Sequence, residues 1–235
     1  MDIAANLKSV QQRVAAACSR TGRDPASVTL VVVSKGHQAD VVRETAELGM
    51  TIFGENRVQE AKIKIGLCPG RLQWHLIGHL QSNKCRDAVY FFRMIQSVDS
   101  VALAREINKW ADKSAKTMPI LLEVNVAGES SKFGFSPAAV LSELKEINAL
   151  PKIEVHGLMP VAPWAEEPEK VRPVFRELAG LKRQCEDLLG APLPHLSMGM
   201  SGDFEVAVEE GATMIRIGSA ILGPRKSAAV RTGDE

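Results

Sequence analysis

The sequence predicts an α/β protein, a single (β/α)8 TIM barrel with an extra N-terminal helix. Apolar segments of strand type alternate with segments of helical periodicity, and eight such strands can be counted. Strands that alternate with helices pair in parallel, and a closed barrel of this kind takes about 250 residues. The chain has 235 residues, so we expect one domain over residues 1–235.

The first predicted element is an amphipathic helix. Apolar residues recur at helical spacing from Ile3 to Ala17, and Thr21-Gly22 ends the pattern. The predicted strands are "VTLVVVS", "MTIFG", "LQWHLIG", "FFRMIQSV", "PILLEVNV", "KIEVHGLM", "PHLSMG" and "TMIRIG". Further helices are predicted over 39–48, 56–66, 100–115, 137–148, 167–188 and 203–210. An open doubly wound sheet is the alternative, but "SKGHQAD" stands where its G-x-G-x-x-G turn belongs.

Charge and cysteine content limit the classes of function. Lys plus Arg (29) nearly balance Asp plus Glu (28) without a basic block, which argues against a nucleic-acid partner. No apolar run approaches the roughly 20 residues of a membrane span, and the N-terminus lacks a signal-peptide core, so we expect a soluble, unexported protein. The four cysteines form no CxxC pair, which favours reduced thiols and a cytoplasmic location.

Two glycine-containing turns predict a phosphate site. In a barrel of this type the loops after strands seven and eight commonly hold phosphate. "GMSGDFEVAVEEG" places Ser201 and Asp203 as cap candidates at a helix start, where an anion is favoured, and Gly202 lets the backbone come close. "IRIGSAILG" places Gly218 and Ser219 similarly. Either turn alone is explained as an ordinary strand end or helix cap; together they indicate one anion site.

Arg216 and Lys35 are the charged residues that the strands bring towards this site. Arg216 lies in the apolar strand "TMIRIG", on the same face as Gly218, and needs an acceptor in the barrel mouth or a carboxylate on the helix-facing side. Lys35 ends the first strand, where desolvation and nearby positive charge would favour a neutral amine that attacks an aldehyde. A sugar phosphate and pyridoxal phosphate both fit this chemistry, and a solvated lysine at a strand end is the alternative.

Several blocks of sequence resemble a known family. They are "VVVSKGHQAD", "FGENRVQEAK", "WHLIGHLQSNK", "EVNVAGESSKFGF", "HGLM" and "LSMGMSGDFEVAVEEGATMIRIGSAILG". These blocks follow the order expected in the pyridoxal phosphate homeostasis proteins, the YggS/PROSC-like family, and they extend over nearly the full chain. The sequence is therefore similar to that family. The resemblance implies a barrel related to the N-terminal domain of alanine racemase.

The resemblance also implies a cofactor and the residues that bind it. Pyridoxal 5′-phosphate would be held as a Schiff base on Lys35, with Ser201, Gly202, Gly218 and Ser219 at the phosphate. By the same match, Arg216 stands near the pyridine nitrogen and Asn56 lines the cofactor. A permanent cation beside that nitrogen disfavours its protonation and weakens the ring as an electron sink.

The expected function is therefore intracellular pyridoxal phosphate (vitamin B6) homeostasis by a cofactor-binding protein that is not primarily an enzyme. The alternatives are a weak amino-acid racemase and a Schiff-base aldolase. The related racemases take their second base from a tyrosine of another subunit, whereas Tyr90, the one tyrosine here, precedes strand four. We expect a monomer that contacts pyridoxal phosphate-dependent apoenzymes transiently.

The histidines and remaining lysines do not extend the predicted site. His75 and His79 form H-x₃-H without the carboxylates of a zinc motif, so no metal site is predicted. The roles of His37, His79, Lys84 and Lys132 stay open.

Overall fold

The computed structural model describes residues 2–128, 133–161 and 166–224. The strands are β1 Thr29–Val33, β2 Ile52–Glu55, β3 Gln73–Leu76, β4 Met94–Val98, β5 Met118–Val124, β6 Ile153–Pro160, β7 His195–Leu196 and β8 Met214–Ile217. The helices are α1 Ile3–Arg20, α2 Ala39–Glu47, α3 Val58–Ile65, α4 Cys85–Phe91, α5 Val101–Lys113, α6 Pro137–Asn148, α7 Arg172–Leu189, α8 Phe204–Glu209 and α9 Ser219–Leu222.

The strands form a parallel barrel. Hydrogen-bonded neighbours follow the order β7-β6-β5-β4-β3-β2-β1-β8. A bridge between Ser197 and Met214 joins the two ends of that order, and Thr213 N donates to Leu196 O at 3.0 Å beside it. The carboxyl ends of the strands therefore meet at one rim, which confirms the predicted TIM barrel with its N-terminal helix.

Helix α1 packs against helices α8 and α9. Asp2 caps it by accepting from Ala5 N at 2.9 Å, and its buried apolar stripe packs on α8 and α9. Asn6 Nδ2 donates to Ile221 O at 3.0 Å. Arg23, just past the helix, donates to Val208 O at 2.7 Å and to a second carbonyl at 2.8 Å. Through these contacts α1 braces the helices that follow β7 and β8.

The prediction was wrong around β4: it contained no helix before this strand and began the strand too early. The run "FFRMIQSV" was assigned to a strand, but Phe91 ends α4, Phe92 is the buried residue after the helix, and β4 starts at Met94. A short apolar run has no periodicity that separates a buried helix end from a strand. Tyr90 thus lies on outer helix α4 and is 74% exposed.

Within the described part of the chain, no helix is long and apolar enough to cross a membrane.

Candidate functional site

A cavity of about 700 Å³ opens at the carboxyl ends of the strands. Its lining includes all seven residues predicted to bind the cofactor: Lys35, Asn56, Ser201, Gly202, Arg216, Gly218 and Ser219. The size is ordinary for a small-molecule site. Residues from the first, second, seventh and eighth strand ends, far apart in sequence, therefore share one space.

Lys35 occupies a tight turn after β1. His37 N donates to Ser34 O at 3.0 Å, and Gly36 has a φ of 76°, a conformation that favours glycine. Lys35 is the second residue of this four-residue turn. It is half-buried and lines the cavity.

The two glycine-containing turns are linked to each other. Ser201 Oγ accepts a hydrogen bond from Ala220 N, in the first turn of α9, at 3.2 Å. A Cβ added to Gly202 would meet no atom within 4 Å, and one added to Gly218 would lie 3.2 Å from Val33 O. The turn after β7 thus has an open face at the cavity, while Gly218 brings the other turn close to β1.

Asp203 does not cap α8 in the predicted manner. It stands at the N-cap position, but its Oδ1 accepts from Met200 N at 2.6 Å, and its side chain makes no capping bond. Burial raises the pKa of Asp203, against the hydrogen bond from Met200 and the charge of Arg216. The side chain braces the preceding turn instead of the helix.

Arg216 is buried inside the barrel and lines the cavity. Its Nη1 donates to Ser197 O at 2.5 Å and to Ser197 Oγ at 2.7 Å. Ser197 therefore provides the acceptor that a buried guanidinium needs. Burial lowers the pKa of Arg216 to about 10, against the opposing charges of Asp203 and Glu123. The guanidinium is therefore still a cation at neutral pH.

A chain of hydrogen bonds continues from Arg216 across the barrel. Ser197 Oγ donates to Gln96 Oε1 at 2.7 Å, and Gln96 Nε2 lies 2.9 Å from His75 Nδ1. Burial, with smaller contributions from His195 and other charges, lowers the pKa of His75 to about 4. A neutral His75 accepts at Nδ1 from the Gln96 amide, so the chain has one consistent direction and orients Ser197 towards Arg216.

Glu123 is a cavity residue that the sequence analysis missed. It lies on β5, four strands around the barrel from β1, and is 9% exposed. Burial, and then the charge of Asp99, raises the pKa of Glu123 to about 7, against Arg216. Among the described residues, Glu123 Oε2 has no hydrogen-bond partner. The available signal was a charged residue inside "PILLEVNV", the same kind of signal that identified Arg216.

Of the histidines and lysines whose roles stayed open, His37 lines the cavity, whereas His79 and Lys84 do not. His79 Nδ1 lies 3.1 Å from Asp99 Oδ2, and its ring stacks on Phe133 at 3.9 Å, outside the cavity lining. Lys84 immediately precedes α4, and Lys132 falls outside the described residues. In the portion described, no cluster of His, Cys, Asp and Glu could hold a metal ion.

The chain matches known proteins over nearly its whole length. The family model for the alanine racemase N-terminal domain matches residues 3–226. The pyridoxal phosphate homeostasis protein of Aquifex aeolicus is 42% identical over 227 residues, covering 96% of this chain and 100% of that protein. The protein of the same name in Escherichia coli K12 is 37% identical, covering 95% of this chain and 97% of its own length.

Solved structures agree. PipY of Synechococcus elongatus, solved with pyridoxal phosphate (PLP) bound, is 37% identical with a TM-score of 0.83, covering 94% of this chain and 100% of PipY. Alanine racemase of Clostridium difficile is 18% identical with a TM-score of 0.68, covering 95% of this chain and 58% of the racemase. At that identity the racemase shows the shared barrel alone.

Proposed function

The chain belongs to the pyridoxal phosphate homeostasis protein family, and we propose that it binds pyridoxal 5′-phosphate through Lys35 and takes part in homeostasis of that cofactor. The observation that carries the proposal is the meeting, in one cavity at the barrel rim, of the seven residues that the family resemblance assigns to the cofactor. The cofactor named in the PipY structure has an aldehyde, a phosphate ester and a pyridine ring, and each group needs a counterpart here.

The cavity residues fit those three groups. The open face at Gly202, with the hydroxyls of Ser201 and Ser219, suits a phosphate, because small residues allow close approach and hydroxyls donate. Arg216 supplies a fixed cation and N–H donors deeper in the barrel, where a ring nitrogen needs a donor. Asn56 lines the cavity from β2, and Lys35 enters from β1.

When bound, the cofactor supplies an aldehyde carbon, with which a neutral amine condenses to a carbon–nitrogen double bond as one water leaves. Lys35 provides the amine from a turn that fixes its backbone. Arg216, still charged at neutral pH, disfavours a proton on the ring nitrogen and keeps it an acceptor. The residues of this chain therefore favour holding the cofactor over using it for carbanion chemistry.

This arrangement supports a buffering role over the racemase alternative. Racemisation needs two bases on opposite faces of the substrate carbon. The tyrosine that the related racemases use has no counterpart at the cavity, because Tyr90 lies exposed on α4. The proposal includes reversible binding by a cytoplasmic monomer, transient contact with PLP-dependent apoenzymes and no committed catalytic activity.

The test is to mix purified protein with PLP, record the visible absorbance, reduce with borohydride and locate the adduct by peptide mass spectrometry. We expect the label on Lys35 and its loss in Lys35→Ala. Lys62→Ala is the matched control, since Lys62 is an exposed lysine on α3. A label that stays on another lysine, or an absent adduct in the unmodified chain, refutes the proposal.

A further inference from the structure

A lysine of helix α3, Lys64, is buried against the turn that carries Lys35. The Lys64 side chain is 6% exposed, and its Nζ donates to Ser34 O at 2.6 Å, to Glu55 Oε1 at 2.7 Å and to Glu60 Oε1 at 2.7 Å. An ammonium group has three N–H donors, so all of them are used. We call Lys64, Glu55 and Glu60 the Lys64 cluster.

The Lys64 cluster holds the peptide groups on both sides of Lys35. The carbonyl of Ser34, the preceding residue, accepts from Lys64. The N–H of Gly36, the following residue, donates to Glu60 Oε1 at 2.6 Å. The backbone before and after Lys35 is therefore anchored to α3, in addition to the hydrogen bond that closes the turn itself.

These charges are buried at a cost. Glu55 is fully buried, and burial raises its pKa against the hydrogen bonds from Lys64 and Ser34. Its Oε2 has no hydrogen-bond partner among the described residues. Packed apolar side chains would join α3 to β2 without desolvating any charge, and buried ion pairs are often no more stabilising than such replacements. What apolar residues could not supply is the donor and the acceptor that meet the peptide groups beside Lys35.

We propose that Lys64, acting with Glu55 and Glu60, is a positioning residue that fixes where the Lys35 amine enters the cavity. The inference rests on the proposed function, since it assigns these residues to the reaction of Lys35. Displacing a reacting group by about 1 Å can slow a reaction roughly a hundredfold. Loss of the anchors should therefore slow covalent capture of the cofactor without removing its phosphate and ring contacts.

The experiment compares Lys64→Met and Glu60→Ala with the unmodified protein. Lys62→Met is the control, because Lys62 lies on the same helix and is exposed. Two quantities are measured: the rate of PLP capture by stopped-flow absorbance, and the affinity for pyridoxine 5′-phosphate, the alcohol analogue that cannot condense with an amine. Thermal unfolding of each variant reports whether the fold is retained.

We expect capture to slow about tenfold to a hundredfold in both variants, with analogue affinity unchanged and Lys62→Met like the unmodified protein. Glu60→Gln keeps an oxygen acceptor for Gly36 and should recover much of the rate lost in Glu60→Ala. Folded Lys64→Met and Glu60→Ala proteins that capture PLP at the unmodified rate overturn the inference, as does an equal loss of analogue affinity, which would mean general damage. If the unmodified protein captures no PLP, the proposed function itself fails.

Discussion

Glu123 is expected to make the stability of the protein fall as pH rises towards neutrality. Its folded-state pKa is raised from 4.5 to about 7, chiefly by burial. Between these two values the folded chain holds a proton that the unfolded chain has released, so unfolding loses a proton and the free energy of unfolding decreases with pH. The difference between a pKa of 4.5 and one of about 7, at about 1.4 kcal/mol for each factor of ten in proton binding, amounts to roughly 3–4 kcal/mol.

The perturbation is Glu123→Gln, which keeps the shape of the side chain and removes its titration. We expect the free energies of unfolding to differ little at about pH 5, and the variant to be more stable by roughly 3 kcal/mol at about pH 8. Denaturant unfolding of cofactor-free protein across that range measures the difference. Other raised carboxyl groups, such as Glu55 and Asp203, are present in both proteins and largely cancel.

Glu177→Gln is the matched control, because Glu177 is exposed on α7. A pH dependence in this control as large as that of Glu123→Gln would show that burial of Glu123 is not its cause. The reasoning is refuted if the Glu123→Gln difference stays constant from acid to alkaline pH, since the carboxyl group would then titrate alike in the folded and unfolded chains.

Three further predictions concern the residues around the cavity. Ser197→Ala leaves the buried Gln96 oxygen without its donor and should lower the free energy of unfolding by about 1–3 kcal/mol, measured in urea. Arg216→Glu should favour a protonated pyridine ring and speed α-proton exchange of added alanine in deuterated water, followed by NMR, whereas Arg216→Lys should not. Replacing Ser201 and Ser219 together by Ala should weaken PLP retention roughly tenfold or more per hydroxyl, measured by dialysis; unchanged retention would remove them from the phosphate site.

The arrangement of strands was readable from the sequence because each strand is a short apolar run bounded by turn residues. Lys35, Asn56 and Gly218 follow the ends of three of them, and these ends meet at one rim in the parallel barrel. Helix α4 was not readable, since its closing residue Phe91 merges with the apolar run that leads into β4. The sequence pattern distinguishes two consecutive elements only where the hydrophobic periodicity changes or a turn residue lies between them.

The cavity residues that lie in glycine-containing turns could be predicted from the sequence. Residues whose role depends on tertiary contacts could not. Gly202 and Ser201 belong to a turn that its glycine and hydroxyl residues identify in the sequence. Lys64, in contrast, reads as one of several charges on a surface helix, and only the approach of Glu55 and of the Ser34 carbonyl makes it a buried group. Glu123 could have been predicted by the argument used for Arg216, because it too is a charged residue inside an apolar strand.

Under the proposed function, the burial of Arg216 suits this barrel to holding an aldehyde cofactor without using it. A surface arginine would be screened, whereas burial would strengthen the effect of Arg216 on a ring nitrogen bound beside it, and its pKa of about 10 keeps it charged at neutral pH. Ser197 and the hydrogen bonds that continue through Gln96 hold the guanidinium in place, so under the proposed function it would stay beside the ring nitrogen. Under the proposed function, Lys35 and the phosphate turns determine how tightly the cofactor is kept, whereas Arg216 determines how little chemistry it performs. The two properties should therefore separate by mutation: the Ser201 and Ser219 double variant should lose retention without gaining exchange, and Arg216→Glu should gain exchange before it loses the Lys35 adduct.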